Sequence, residues 1–176
     1  MATDSMTLKG SLADRDSWDA TDECSIARAL DVVGTHSAMM LIREGYYGSH
    51  RFDDLARRAG ITEAIAAKRL RELVDAGLFC KRPYREPGQR TRDEYVLTER
   101  GRDLFPALVS LMSWGDRYLS DRQGPPIQLI HSGCGAPLQA SVRCAAGHEV
   151  AMYEATAEIS PQRRARSETR KSLSRG

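Results

Sequence analysis

The sequence predicts an α+β chain that is mostly helical, and three observations lead to this expectation. Apolar residues recur at helical spacing in five segments, most of them bounded by a glycine or a capping threonine. Two alternating runs flank a central Pro87-Gly88, which is typical of a β-hairpin. With 176 residues, 41% hydrophobic and 28% charged, the chain is long enough to form one core without disulfide or metal support.

The first two helices are predicted over residues 25–33 and 36–47. The first is short and amphipathic and ends at Gly34, and the second stops near Gly48. The apolar residues of the second mark it as a buried helix. The positions that define these faces are Ile26, Ala29, Leu30 and Val33 in the first helix and Met39, Met40, Ile42 and Tyr46 in the second.

The third and fourth helices, residues 51–59 and 62–76, are separated by a tight turn that contains Gly60. Thr62 is placed to cap the start of the fourth helix, and Gly77 is placed to end it. Two helices joined by such a turn form a helix-turn-helix. We expect the fourth helix to turn Ile61, Ile65, Leu70, Leu73 and Val74 to the core and Thr62, Ala64, Ala67, Lys68 and Arg71 largely to the other side.

A β-hairpin is predicted next, with strands over residues 78–84 and 93–97 and a basic loop over residues 85–92. Between Lys68 and Arg92 there are eight Lys or Arg against three acids, although the net charge of the whole chain is only +2. A local excess of this kind indicates a surface that binds a polyanion. A hairpin directly after a helix-turn-helix is a wing, and its tip here is cationic.

The predicted long helix from Thr98 to Leu119 is too apolar to be wholly solvated, and we interpret it as a dimer contact. Pro106 is expected to kink or open it. Gly124-Pro125-Pro126 then marks a boundary before short β-compatible runs. The predicted organisation is a flexible leader (1–20), a winged helix-turn-helix DNA-binding and dimerisation domain (21–122), a small β-rich knuckle extension (123–158) and a disordered basic tail (159–176).

Composition and motifs exclude several classes of protein. No run approaches the ~20 apolar residues of a membrane span, and the polar, acidic start does not resemble a secretory signal, so we expect a cytoplasmic protein. The four widely spaced cysteines do not form a disulfide framework. The sequence contains no phosphate-binding glycine loop, hydrolase elbow or recognisable carboxylate pair, so we predict that the protein is not an enzyme.

Several ordered motifs resemble the HxlR-type winged helix-turn-helix transcriptional regulators of bacteria, which are MarR-like. These are the opening C-x-I-A-R-A-L-D-V-V-G, then R-F-D-D-L with Gly60-Ile61, then K-R-L-R-E-L-V-D-A-G-L, and finally Y-V-L-T-E-R-G. The likeness spans roughly Cys24 to Leu119. It implies a homodimer that binds operator DNA, with the helix from Thr62 in the major groove and the wing along the backbone or minor groove.

The chain departs from the usual pattern of this family at three places. Ser25 stands where a proline is usual, and His36-Ser37-Ala38 stand where the family has a tryptophan. Early in the recognition helix, Glu63 and Ala64 replace a typical proline and lysine. The last change adds an acid and removes a cation, so the operator sequence of relatives cannot be transferred to this chain.

Within this interpretation the DNA contacts divide into two kinds. Arginine and lysine neutralise phosphates, and residues early in a recognition helix reach base edges. The role of Arg69 stays open between an inward ion pair and a DNA contact. The predicted phosphate contacts are Arg51, Lys68, Arg85, Arg90 and Arg92, and the predicted base contacts are Thr62, Ala64, Ala67 and Arg71.

Two further features suggest chemistry beyond DNA binding. Cys24 lies at the start of the first helix, where the helix dipole favours a thiolate, and some regulators that this chain resembles sense quinones, aldehydes or oxidants with a cysteine there. The alternative is a packed cysteine, which is also our interpretation of Cys80. His131-x2-Cys134 and Cys144-x3-His148 are compatible with a small zinc knuckle, although the second pair lacks the usual CxxC spacing; otherwise we predict no cofactor.

Three hypotheses follow from the sequence. The leading one is a dimeric, sequence-specific transcriptional regulator of operator DNA that responds to a small-molecule or oxidant effector. The second is a non-specific or architectural DNA-binding protein, which would be indifferent to sequence. The third is a metal- or thiol-dependent enzyme using Cys134, Cys144 and His148, which would require bound metal and turnover.

Overall fold

The computed structural model of the chain describes residues 5–16 and 24–163. The chain divides into two units, one of Asp22–Ala140 and one that combines Met1–Thr21 with Ser141–Gly176. In the part of the chain that is described, no helix is long and apolar enough to cross a membrane. The fold is mostly helical with little sheet, as predicted.

The larger unit contains all the helices of the predicted winged helix-turn-helix. Helix α2 (His36–Tyr46) begins at a threonine cap, since the Thr35 hydroxyl accepts a hydrogen bond from the Ala38 N–H at 3.2 Å. Thr62 and Thr98 cap α4 (Glu63–Asp75) and α5 (Glu99–Arg102) in the same way. The helices are α1 (Ser25–Val33), α2 (His36–Tyr46), α3 (Phe52–Arg58), α4 (Glu63–Asp75), α5 (Glu99–Arg102) and α6 (Phe105–Leu119).

The core forms where α2, α3 and α4 pack against the hairpin. Its fully buried large side chains contribute about 1.5–3 kcal/mol each when they leave water. Met39, Met40 and Tyr46 of α2 are partly buried around this core, whereas α1 has no fully buried residue. The largest fully buried side chains are Phe79, Leu41, Ile42, Leu55, Leu70 and Leu73.

The hairpin consists of strands β2 (Phe79–Tyr84) and β3 (Arg92–Leu97), which pair antiparallel from Phe79↔Leu97 to Tyr84↔Arg92. Its open end is tied to the core because Phe79 and Leu97 are buried there. The loop that closes the other end, residues 85–91, forms the wing tip. The predicted wing is therefore confirmed, although β2 begins one residue later and β3 one residue earlier than predicted.

The predicted long helix after the wing is two helices. Asp103 and Leu104 separate α5 from α6, and Pro106 lies in the first turn of α6, where its missing N–H costs no intrahelical hydrogen bond. Tyr46 joins this region to α2, since its hydroxyl donates to the Gly101 carbonyl at 2.6 Å and its ring meets Phe105 edge-on. Burial raises the pKa of Tyr46 to about 12.

We predict that Tyr46→Phe lowers the free energy of unfolding by about 1 kcal/mol at pH 8, because the hydrogen bond to Gly101 is lost. The hydroxyl titrates near pH 10 when unfolded and at about 12 when folded, so its contribution is full below pH 10 and lost as the pH rises to 12. Urea unfolding of the wild type and of Tyr46→Phe at equal concentration should show a smaller difference in their free energies of unfolding at pH 11 than at pH 8. An equal difference in the free energy of unfolding at both pH values would contradict the raised pKa of the Tyr46 hydroxyl.

The second unit joins the two ends of the chain. Strand β1 (Thr7–Leu8) pairs parallel with β4 (Thr156–Ala157), since the N–H groups of Thr7 and Lys9 donate to the carbonyls of Ala155 and Ala157 at 3.0 Å. Residues 5–16 of the predicted leader and the end of the predicted extension thus share one unit, and the extension divides after Ala140. Residues 1–4 and 17–20 of that leader and 164–176 of the predicted tail lie outside the described residues.

Candidate nucleic-acid interface

The turn between α3 and α4 holds the two helices of the helix-turn-helix in a fixed relation. Gly60 has φ +68°, a left-handed conformation that glycine adopts without steric cost. The Ile61 N–H donates back to the Ala56 carbonyl at 3.2 Å, and the Thr62 hydroxyl accepts from the Ile65 N–H at 3.3 Å. The first turn of α4 therefore starts from an anchored position.

Helix α4 has one face in the core and one face in solvent. Ala66, Leu70 and Leu73 are buried against α2 and α3. On the opposite side the structure places most of the predicted DNA-contacting residues of this helix together. Thr62, Ala64, Lys68 and Arg71 are exposed, and Ala67 is half-buried at the margin of that face.

The predicted inward position of Ile65 is wrong. Its side chain is 47% exposed and lies on the outer half of α4 with Ala64 and Lys68. At 3.6 residues per turn Ile65 is about 140° around the helix from Leu70, too far to share its face. Ile61 and Val74, by contrast, are partly buried against the core as expected.

The cations of this region fall into two groups, those that form an ion pair with an acidic residue and those that do not. Arg69, whose role the sequence left open, is mostly buried and pairs with Glu72 at 2.5 Å. Lys81 and Arg82 pair across the hairpin with Asp93 at 3.5 Å and Glu94 at 2.6 Å. Within residues 5–16 and 24–163, no acidic partner is found for Lys68, Arg71, Arg85, Arg90 and Arg92, so these five keep their charge available to a polyanion.

The wing tip is organised around Glu86. Its carboxylate binds the Arg51 guanidinium at 2.5 Å and the Gln89 amide at 3.0 Å, and Arg85 donates to the Gln89 carbonyl at 3.1 Å. Arg51 also stacks over the Tyr84 ring, 5.0 Å from its centroid. The Glu86 carboxylate raises the pKa of Arg51.

Arg51 therefore links the start of α3 to the wing, and its charge is partly neutralised there. Its predicted phosphate contact would have to form with or in place of the Glu86 ion pair. The wing base is held by the backbone as well, because the Tyr95 N–H donates to the His50 carbonyl at 2.7 Å. These contacts place the cationic tip relative to the outer face of α4.

The cysteines are free in the described part of the chain, but their surroundings differ. Cys24 is half-buried and occupies the N-cap position of α1, where its carbonyl accepts from the Arg28 N–H at 3.0 Å. Cys80, expected to be packed, is exposed on β2, with its sulfur 3.6 Å from the Val96 carbonyl. Outward alternation along an antiparallel strand accounts for this position.

The predicted zinc ligands lie in two small turns. His131 Nδ1 and Cys134 Sγ are 3.1 Å apart in a turn closed by the Ile130↔Pro137 bridge, whereas Cys144 and His148 belong to a turn of the other unit, closed by Arg143↔Glu149. The first turn presents two donors, which is half of a tetrahedral set. In residues 5–16 and 24–163 no group of three or more His, Cys, Asp or Glu side chains could hold a metal ion, so zinc stays a prediction.

Comparison with known proteins gives consistent results. The profile of the HxlR-like helix-turn-helix family matches residues 32–123. An uncharacterized HTH-type transcriptional regulator of Mycobacterium tuberculosis is 44% identical over 138 residues, which cover 78% of this chain and 86% of the relative.

A crystal structure of PA1607, a protein proposed to be a transcription factor, has 31% identity and a TM-score of 0.70 over 81% of this chain and 97% of that one. The redox regulator HypR in its oxidized form has 29% identity and a TM-score of 0.50 over 56% of this chain and 100% of that one.

Proposed function

Because this chain belongs to the HxlR-like helix-turn-helix family, we propose that it is a sequence-specific, DNA-binding transcriptional regulator that acts as a homodimer. Its family consists of transcription regulators rather than enzymes. We propose that it works in the cytoplasm, because a transcriptional regulator of this family must reach chromosomal DNA.

One observation supports DNA binding above all others. The exposed face of α4 and the wing carry five cations without an acidic partner in the described residues, namely Lys68, Arg71, Arg85, Arg90 and Arg92. An α-helix fits the major groove of B-DNA, and an adjoining basic hairpin is suited to the phosphate backbone. The paired cations of the same region, Arg69, Lys81 and Arg82, stabilise the domain instead.

The experiment that tests this function is sequencing of genomic DNA that co-purifies with the protein. A regulator of this kind should enrich a small set of sites that share a palindrome, with half-sites about one helical turn apart. Enrichment without any shared sequence would favour the alternative, a non-specific or architectural DNA-binding protein. Absence of bound DNA at low salt would contradict both.

Homodimerisation is supported by two apolar stripes that are exposed in the described residues of the larger unit. On α1, Ile26 is 70% exposed and Leu30 lies one turn later on the same side. On α6, Leu111, Trp114 and Tyr118 form a second exposed stripe. A surface of this kind marks an interaction site, and a second copy of the chain would give the twofold symmetry that a palindromic operator requires.

A cavity of about 240 Å³ between α2 and α6 favours a small-molecule effector. Its walls include Met39, Met40 and Met112, and flexible methionine side chains adapt to varied apolar ligands. Arg43 at its edge donates to the carbonyl of Arg58, the last residue of α3, at 3.3 Å. An effector that displaced Arg43 would therefore act directly on the helix-turn-helix.

The alternative effector is an oxidant acting on Cys24, and the similarity to the redox regulator HypR supports it. We predict that diamide or a quinone changes the operator affinity of the wild-type protein several-fold, since a modified thiol at the N-cap of α1 disturbs a helix that borders the proposed dimer contact. Fluorescence anisotropy before and after treatment measures the change. Cys24→Ser should bind DNA normally and ignore the oxidant, and Cys80→Ser is the matched control. Equal wild-type affinity before and after treatment would count against sensing.

A further inference from the structure

The outer face of the recognition helix α4 carries an isoleucine that does not belong to the buried core of the domain. Ile65 is 47% exposed, whereas Leu70 and Leu73 of the same helix are completely buried. Ala64 beside it is exposed as well, and Lys68 follows one turn later. The leading outer surface of α4 is thus an uncharged patch of Ala64 and Ile65 with cations behind it.

This patch is held in a defined position. The Ile65 N–H is fixed by its hydrogen bond to the Thr62 hydroxyl, so the backbone of the first turn is anchored at both ends of that bond. An isoleucine in a helix has one strongly preferred χ1 rotamer, so little side-chain freedom is lost when it makes a contact. Ile65 therefore presents a conformationally restricted apolar side chain on the exposed half of α4.

The major groove of DNA offers one prominent apolar group, which is the C5 methyl of thymine. Cytosine and uracil lack that methyl, so contact with it distinguishes thymine without any hydrogen bond. A polar or charged side chain at position 65 would instead seek a donor or acceptor on a base edge. Only the thymine methyl matches the chemistry of an exposed isoleucine flanked by alanine.

We propose that Ile65, supported by Ala64, determines specificity by packing against a thymine methyl in each operator half-site. This inference rests on the proposed function, because it requires an operator bound through α4. It assigns a base-contacting role to a residue that the sequence pattern placed in the core.

The test uses the operator recovered from genomic DNA, with each thymine replaced in turn by deoxyuridine so that only the methyl is removed. For the wild-type protein, one thymine per half-site should be sensitive. Loss of one buried methyl weakens binding about fourfold, and replacement in both half-sites weakens it roughly 15-fold. Ile65→Ala should bind the thymine operator more weakly and should not distinguish thymine from deoxyuridine at that position.

Two controls distinguish loss of thymine recognition from loss of the folded structure. Ile65→Val keeps the branched carbon and should stay sensitive to deoxyuridine, while Val142→Ala removes an exposed apolar side chain outside α4 and should change nothing. Circular dichroism melts establish that each variant is folded. Wild-type binding that ignores every thymine replacement, or Ile65→Ala that still responds as wild type does, would overturn this proposal while leaving the proposed regulator intact. Failure to obtain any specific operator would overturn the proposed function and this inference with it.

Discussion

The double variant Lys68→Ala/Arg90→Ala is expected to bind every DNA sequence more weakly, on the order of 100-fold or more at moderate salt. Each lost contact between exposed charges is worth roughly 0.7 kcal/mol, and a homodimer loses each of the two contacts twice, which is about 2.8 kcal/mol in all. Lys68 lies on the outer face of α4 and Arg90 at the wing tip. The two substitutions therefore weaken both arms of the proposed interface.

Salt dependence identifies the nature of the loss. Each phosphate contact contributes about 0.9 to the slope of log affinity against log salt, so removal of four contacts from the dimer should lower that slope by about 3.6. Sequence preference should stay unchanged, because phosphates carry no base identity. Fluorescence anisotropy at two or more salt concentrations, with operator and scrambled DNA, measures both quantities.

Arg122→Ala provides the control for a simple change in net charge, since Arg122 is exposed and lies outside α4 and the wing. It should leave the affinity and the salt slope close to those of the wild type. If the double variant binds as wild type does at both salt concentrations, α4 and the wing do not form the DNA-binding surface. The chain would then need another basic face.

Local signals in the sequence predicted much of the fold. Thr62 and Thr98 were expected to cap helices and do so, because a cap depends on residues only three positions apart. The wing was also predictable, since its strands and its Pro87-Gly88 turn are neighbours in sequence. Pro106 marked a break that the structure places at the start of α6.

Features that depend on contacts between residues distant in sequence could not be predicted from local signals. An isoleucine near helical register was assigned to the core by its type, yet Ile65 lies outside the buried arc of α4. The pairing of Arg82 with Glu94 follows from strand register, and without it Arg82 counts as one more cation for DNA. The pairing of Thr7 with Thr156 joins strands of two residues from opposite ends of the chain, and such short strands show no alternation of apolar and polar residues in the sequence.

Trp114→Ala is expected to convert the proposed dimer into a monomer at micromolar concentration. Trp114 is 55% exposed on α6 and packs only against Tyr118 among its aromatic neighbours in the described residues, with ring centroids 5.6 Å apart. Tryptophan at the centre of an interface is commonly worth about 2 kcal/mol or more. Twofold symmetry counts that loss twice, so the dimer dissociation constant should rise by about 10³-fold.

Sedimentation equilibrium over a range of concentrations measures the association, and operator binding reports its consequence. A monomer contacts one half-site, so Trp114→Ala should also lose most of its affinity for a palindromic operator while its binding to a single half-site changes little. Tyr153→Ala is the matched control, because Tyr153 is an aromatic residue of similar exposure in the second unit. A variant that remains dimeric at nanomolar concentration, or a wild-type protein that is monomeric, would exclude the α6 stripe as the dimer contact. Since Trp114 has no place in the core of a single subunit, loss of the dimer with an unchanged circular dichroism spectrum would identify its role as association rather than folding.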